Sequence, residues 1–121
     1  MKALIKKIIP DSAMRKFHNW EELKSLSSDG QAEVKKDNKE PLPKDPGKAA
    51  TVVAALDWVV RAQENSASHD GGVARDFSVK KGWATSYPET TGYIIPTLID
   101  GGHYFGNQTY IDSAKKALDW C

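Results

Sequence analysis

Apolar residues recur at helical spacing through residues 48–64. Their positions follow the i, i+3, i+4, i+7 pattern that places side chains on one face of an α-helix. The same periodicity predicts helices over residues 91–105 and 108–120, with a long loop over residues 65–90 and no β-sheet. Residues 48–121 are therefore expected to be all-α. The residues on one side of the first helix are Ala49, Val52, Val53, Leu56, Val59, Val60 and Gln63.

Residues 1–28 contain two shorter helical patterns. Pro10 ends the first of them, because proline has no backbone N–H and clashes with the preceding turn. Asp11 or Ser12 can cap the second, which ends near Ser27. We therefore treat residues 1–28 as an N-terminal helical segment. Its apolar positions are Leu4, Ile5, Ile8 and Ile9 in the first helix, and Met14, Phe17 and Trp20 in the second.

Residues 29–47 differ in composition from both neighbouring segments. They contain three prolines, two glycines and many charged residues. A segment of this kind buries too little apolar surface to offset the entropy lost on ordering. We expect an exposed linker without regular structure, ending at Pro46 and Gly47.

A tetrapeptide repeat indicates how residues 48–121 are organised. Ala-Leu-Asp-Trp occurs at residues 55–58 and again at residues 117–120, a shift of 62 residues. Each copy lies late in a predicted helix, and one loop, one helix and one turn separate them. Such a helix–loop–helix unit is typical of solenoids and toroids, which bury their apolar faces only when several units stack. The second copy belongs to a unit that has only begun, so we expect a fragment of a larger toroid.

Charge and cysteine content exclude several classes of function. The formal net charge is +1, which does not favour a nucleic-acid partner. No signal peptide or membrane span is predicted, and we expect a cytoplasmic protein in which the basic N-terminal residues face solvent rather than a membrane. Cys121 is the only cysteine and the three histidines are not spaced as metal ligands, so we expect neither a metal site nor a cofactor.

Several short motifs of residues 48–121 together resemble a known group of proteins. They are LDW at 56–58, RAQ at 61–63, DGGV at 70–73, GW at 82–83 and SYPETTGY at 86–93. They resemble the first hairpin of (α/α)6-toroid, six-hairpin-glycosidase-like proteins linked to bacterial polysaccharide metabolism. The resemblance implies antiparallel helical hairpins from the start of an incomplete toroid, and a carbohydrate ligand. It leaves the activity open, because the toroid fold hosts hydrolases, lyases, epimerases and terpene cyclases.

Two acidic residues are the candidates for catalysis. Glu89 precedes a predicted helix, in a loop that would line the mouth of the toroid that the resemblance implies. Asp70 would supply the second carboxylate of a glycosidase pair. Each has a structural alternative: Glu89 suits the positive end of a helix dipole, and Asp70-Gly71 forms turns by itself.

Residues near Glu89 are candidates for contacts with a sugar, because a pyranose presents an apolar C–H face to an aromatic ring. The same side chains could instead pack the long loop onto the helices. We expect Trp58 and Trp120, which repeat with the helix register, to pack between helices. The candidates are Trp83, Tyr87 and Tyr93 for stacking, with Arg75 and Asp76 as polar contacts.

Two classes of function follow. The first is a carbohydrate-active enzyme of which this chain is a piece, inactive by itself because a toroid site needs loops from several hairpins. The second is a non-catalytic scaffold that binds a glycan or a protein, and a toroid like those of terpene cyclases or prenyltransferases is a further alternative. In either case the uncovered apolar helix faces predict self-association.

Overall fold

The computed structural model describes residues 10–38 and 44–121, and the predicted first helix, with Leu4, Ile5, Ile8 and Ile9, lies outside them. The described residues form five helices and a hairpin of two very short strands. The described part of the chain is therefore mostly helical, which is consistent with the predicted all-α class. The elements are α1 (Asp11–Lys24), α2 (Ser28–Asp37), α3 (Lys48–Glu64), β1 (Phe77–Ser78), β2 (Gly82–Trp83), α4 (Pro88–Phe105) and α5 (Gln108–Trp120).

The core lies where α3 packs against a hairpin of α4 and α5. Gly106 ends α4 in the left-handed conformation, with φ of 61°, and Asn107 then caps α5 by accepting a hydrogen bond from the Thr109 amide. This two-residue turn folds α5 back onto α4. The buried cluster between the three helices consists of Leu56, Val60, Leu98, Tyr110 and Ala114.

A hydrogen bond also joins α3 to α5. The Tyr110 hydroxyl donates to the Asp57 carboxylate over 2.7 Å, so the aspartate of the first Ala-Leu-Asp-Trp copy bonds a helix. This bond is the main reason that the pKa of Tyr110 is raised, because ionising the phenol would remove the proton that it donates, and burial and the charge of Asp57 act in the same direction.

Helix α4 begins earlier than expected and continues through a proline. It starts at Pro88 rather than Thr91, because proline at the first helical position needs no partner for its missing N–H. Pro96 consequently lies in the helix interior, not in the first two turns. Its ring removes the bond to the Gly92 carbonyl, and Gly92 is exposed, so water can hydrate that carbonyl instead.

The prediction of a linker without regular structure over residues 29–47 is wrong for its first part. Residues 28–37 form α2, because Ser27 caps the helix by accepting a hydrogen bond from the Gly30 amide at 3.1 Å. Asp29 in the first turn and Lys35 and Lys36 in the last turn complement the helix dipole. Residues 44–47 are exposed and irregular, as expected.

The expectation of no β-sheet is also wrong, although only within the long loop. Strands β1 and β2 pair antiparallel, with Phe77 opposite Trp83 and Ser78 opposite Gly82. An isolated bridge between Ala74 and Ser86 extends the same ladder toward α4. The hairpin is too short to stand alone and needs packing against a helix, which α3 provides through Trp58.

Candidate functional site: an aromatic cleft

The long loop between α3 and α4 is held to the helices by buried polar groups. Thr91, which is fully buried, accepts a hydrogen bond from the Val73 amide at 2.9 Å and donates one to the Tyr87 carbonyl at 2.8 Å. Gln63 donates from Nε2 to the carbonyls of Gly71 and Ser113, which joins α3, the loop and α5. The hairpin therefore stands in a defined position on the helices.

Asp70 lies in a turn of this loop and is already occupied by internal hydrogen bonds. Its Oδ1 accepts from Ser86 Oγ at 2.6 Å and from the Gly72 amide at 3.1 Å. The Ser86 hydroxyl is the main reason that the pKa of Asp70 is lowered, despite the opposing effect of desolvation. An aspartate with a lowered pKa is ionised at neutral pH, which suits a base or a nucleophile but not a general acid.

Replacing Asp70 by asparagine should make the free energy of unfolding depend less on pH in the acid range. A carboxyl group whose pKa is lower in the folded state stabilises the fold above its unfolded pKa, about 3.9 for aspartate. That contribution disappears as the pH falls through the folded pKa. Urea unfolding between pH 2.5 and 6 should therefore show a smaller loss of stability at low pH for Asp70→Asn than for the unaltered chain. Identical pH slopes would contradict the proposed bonding of Asp70.

Three aromatic rings form a cluster where the hairpin packs against α3. The centroids of Trp58 and Trp83 are 4.7 Å apart, those of Phe77 and Trp83 are 4.9 Å apart, and those of Trp58 and Phe77 are 5.9 Å apart. Trp58 comes from α3, and the other two are cross-strand partners of the hairpin. Trp58 remains 41 % exposed, and Phe77 and Trp83 are half-buried. We call these three residues the aromatic platform.

A charged helix face stands opposite this platform. It belongs to α2 and consists of Asp29, Ala32, Glu33 and Lys36, which we call the charged wall. Between platform and wall lies a cleft of about 500 Å³, the aromatic cleft, which Arg61 and Asn65 of the α3 end also line. Arg61 stands over the Trp58 ring, 5.6 Å from its centroid, and Lys36 pairs with Glu33 at 2.6 Å. Positively and negatively charged side chains therefore border the exposed surface of the aromatic platform.

A second cavity, of about 590 Å³, is an open groove between α3 and α4. Its lining is largely apolar, and Val52 and Tyr104 in it are 47 % and 82 % exposed. The groove has two charged lining residues, Lys48 and Asp100, whereas the aromatic cleft has four, so we regard the aromatic cleft as the better candidate for a ligand held by several hydrogen bonds.

Of the seven predicted site residues, the structure places Trp83 in the cleft. Glu89 is exposed in the first turn of α4, and Tyr87 and Tyr93 are exposed before and within the same helix. Arg75 and Asp76 bond each other at 2.7 Å on the surface, and this bond raises the pKa of Arg75. None of these five lines the cleft, and neither does Asp70.

The two repeated tryptophans differ in their surroundings. Trp58 belongs to the platform, so its predicted role in packing between helices is only partly met. Trp120 packs on the loop, where a side-chain carbon added to Gly72 would meet its ring at 2.7 Å. Each tryptophan therefore packs against the long loop, Trp58 at the hairpin and Trp120 at the Asp70 turn.

Sequence reasoning missed most residues of the cleft. Phe77 and Arg61 had signals, since Phe77 lies in the same loop as Trp83 and Arg61 follows Trp58 by three residues on one helix face. No sequence signal pointed to Asp29, Glu33 and Lys36 as site residues, because their segment was interpreted as a linker. Within the described residues, no group of three or more histidine, cysteine, aspartate or glutamate side chains could hold a metal ion.

In the part of the chain that the structure describes, no helix is both long and apolar enough to cross a membrane. No protein-family model, no curated protein and no solved structure matches this chain.

Proposed function

We propose that this chain binds a neutral saccharide in the aromatic cleft. The observation that carries the proposal is the juxtaposition of a three-ring platform with a charged wall across about 500 Å³ of open space. Exposed ring surface next to several side chains that donate or accept hydrogen bonds suits a ligand that has both an apolar face and hydroxyl groups.

The platform suits the apolar face of a pyranose ring. The rings of Trp83 and Phe77 are held at fixed angles by each other and by Trp58, so little side-chain entropy remains to be lost on binding. The aromatic face is electron-rich and attracts the weakly positive C–H groups of a sugar. Trp83, which the sequence predicted as a sugar contact, would provide the stacking surface.

The charged groups suit sugar hydroxyls. The carboxylates of Asp29 and Glu33 accept hydrogen bonds, the Arg61 guanidinium donates them, and the Asn65 side chain can do both. The four charged residues of the cleft comprise two acids and two bases, so their formal charges cancel. A ligand without net charge fits this balance better than a polyanion or a polycation.

An aromatic cage for a quaternary ammonium ion is a less suitable interpretation. Such a cage holds the cation over ring faces, within about 6 Å of each centroid. Here the rings pack against one another at 4.7 to 5.9 Å and leave no space between them for a ligand. Arg61 already stands over the Trp58 ring. The outer surface of the platform is what remains accessible.

We also propose that α3 and α4 form the first hairpin of a larger toroid and that α5 begins the second. The 62-residue repeat, the packing of α5 on α4, and the exposed apolar side chains of Val52, Ile99 and Leu118 support it. Catalysis by Glu89 and Asp70 stays a prediction of the resemblance. Loss of sugar turnover on Glu89→Gln in a longer protein would support catalysis, and retained turnover would favour a binding scaffold.

The saccharide proposal predicts that Trp83→Ala weakens binding severely. Truncating a central aromatic contact typically costs at least about 2 kcal/mol, which is about 30-fold in Kd. Calorimetric titration with cellohexaose, xylohexaose and mannohexaose would measure the effect. Arg61→Gln changes an exposed residue of the same cleft and should also weaken binding, without risk to the core.

The matched control is Trp20→Ala, which removes an exposed tryptophan of α1 that does not line the cleft. It should leave binding unchanged. Unaltered affinity of both Trp83→Ala and Arg61→Gln, or no binding of any of the three oligosaccharides, would contradict the proposal.

A further inference from the structure

Helix α2 is joined to the hairpin at one carbonyl group. Ser27 donates to the Val79 carbonyl twice, from its amide at 2.9 Å and from its hydroxyl at 3.0 Å. Gly30 packs on the same group so closely that a side-chain carbon added there would lie 2.0 Å from the Val79 oxygen. We call these contacts of Ser27 and Gly30 the Val79 attachment.

The rest of α2 has little else to hold it. Gly30 is its only buried residue, and Gln31 and Val34 are half-buried. The ion pair of Lys36 lies within the helix, and no ion pair among the described residues joins α2 to another element. A helix of ten residues is marginal in water by itself. Formation of α2 is therefore coupled to its docking on the hairpin.

This weakly attached helix nevertheless carries one side of the aromatic cleft. Asp29, Ala32, Glu33 and Lys36 form the charged wall, whereas the platform stands on α3 and the hairpin. When α2 leaves the hairpin, the platform remains with Arg61 and Asn65, and the cleft loses the charged wall.

We propose that α2 is a hinged wall of the cleft, positioned by Ser27 and Gly30 on the Val79 carbonyl, and that a bound saccharide stabilises its docked state. The stabilisation by a saccharide rests on the proposed function. A ligand that contacts both platform and wall binds only the docked state, and it shifts the population toward that state. The apparent affinity then falls in proportion to the docked fraction. Ser27 and Gly30 are positioning residues, since they act through the wall.

The test is amide hydrogen exchange of residues 28–37, measured first without a ligand. Gly30→Ala adds a methyl group where the Val79 oxygen stands, so exchange in this segment should accelerate toward the rate of an unstructured peptide. Exchange in α4 and α5 should not change. Gly92→Ala is the matched control, because it places the same methyl group on an exposed helical position with nothing within 4 Å. Ser27→Ala, which removes one donor and the helix cap, should resemble Gly30→Ala.

The second measurement adds whichever of cellohexaose, xylohexaose and mannohexaose binds most tightly. Saturation should slow exchange of residues 28–37 in the unaltered chain, and Gly30→Ala should lower the affinity about tenfold if about a tenth of the molecules stay docked. Undiminished protection of α2 in Gly30→Ala would overturn the hinge. Unchanged exchange of α2 on saturation would overturn its link to the ligand. Failure of all three sugars to bind would overturn the cleft's function, while the ligand-free exchange still decides the hinge.

Discussion

Replacing Leu98 by alanine is expected to destabilise the fold by about 2–5 kcal/mol, the range for removing a fully buried leucine side chain. Leu98 is 0 % exposed and belongs to the cluster in which α3, α4 and α5 meet. The neighbouring side chains are held on three packed helices, so they can fill the vacated space only in part. Small domains are stable by only about 5–15 kcal/mol, so this one change would remove a large part of the total.

Urea denaturation followed by circular dichroism would measure the effect on the helices. Ile99→Ala is the matched control, since it removes a side chain of similar size from the next position of α4, where 37 % of the residue is exposed. We expect a loss of about 1 kcal/mol or less for the control, as for other partly exposed positions. Equal losses for the two variants would show that α4 does not present Leu98 to the core.

Replacing Thr91 by valine is expected to release the long loop from α4 at little change in side-chain volume. The hydroxyl of Thr91 both accepts from the Val73 amide and donates to the Tyr87 carbonyl. Valine leaves the Val73 amide without this partner in a buried place, where a lost partner costs about 1–3 kcal/mol, whereas the Tyr87 carbonyl still accepts from the amide of residue 91. The amide of Val73 should exchange faster, and the near-ultraviolet signal of the platform should weaken because the hairpin carrying Trp83 belongs to the same loop.

Thr91→Ser separates the hydrogen bonds from the packing. Serine keeps the hydroxyl and loses one methyl group, so the expected loss is about 1 kcal/mol. Protection of the Val73 amide should persist in this variant. If serine and valine destabilised the protein equally, with equal loss of protection at Val73, the methyl group rather than the hydroxyl would be what holds the loop.

The outcome for α2 shows where composition misleads. Prolines, glycines and charges made residues 29–47 look like one linker, yet the prolines lie at 41, 43 and 46, beyond the helix. The local start signal was present, since serine is a favoured N-cap and Ser27 fills that position. Whether this N-cap signal led to a stable helix depended on a tertiary contact that no sequence pattern reveals, the close packing of Gly30 on Val79.

The aromatic cleft likewise combines one residue that the sequence predicted with others that only tertiary contacts bring together. Trp83 was predicted as a sugar contact because it is an aromatic residue near Glu89 in the sequence. Its partners come from three separate places, Trp58 on α3, Phe77 across the hairpin and Asp29 on α2. Strands of two residues are too short to show alternation, so the pairing of Phe77 with Trp83 left no signal.

The sequence by itself determined the helices whose faces repeat at 3.6 residues and whose ends carry local signals. Helices α3 and α5 have the predicted bounds, because apolar periodicity and the Asn107 cap act between residues a few positions apart. Tertiary structure decided the position of α2, the pairing of the hairpin and the composition of the cleft. These depend on contacts such as Ser27 with Val79 and Trp58 with Trp83, which join residues distant in the chain. Such contacts form only after the helices have packed, so no local pattern encodes them.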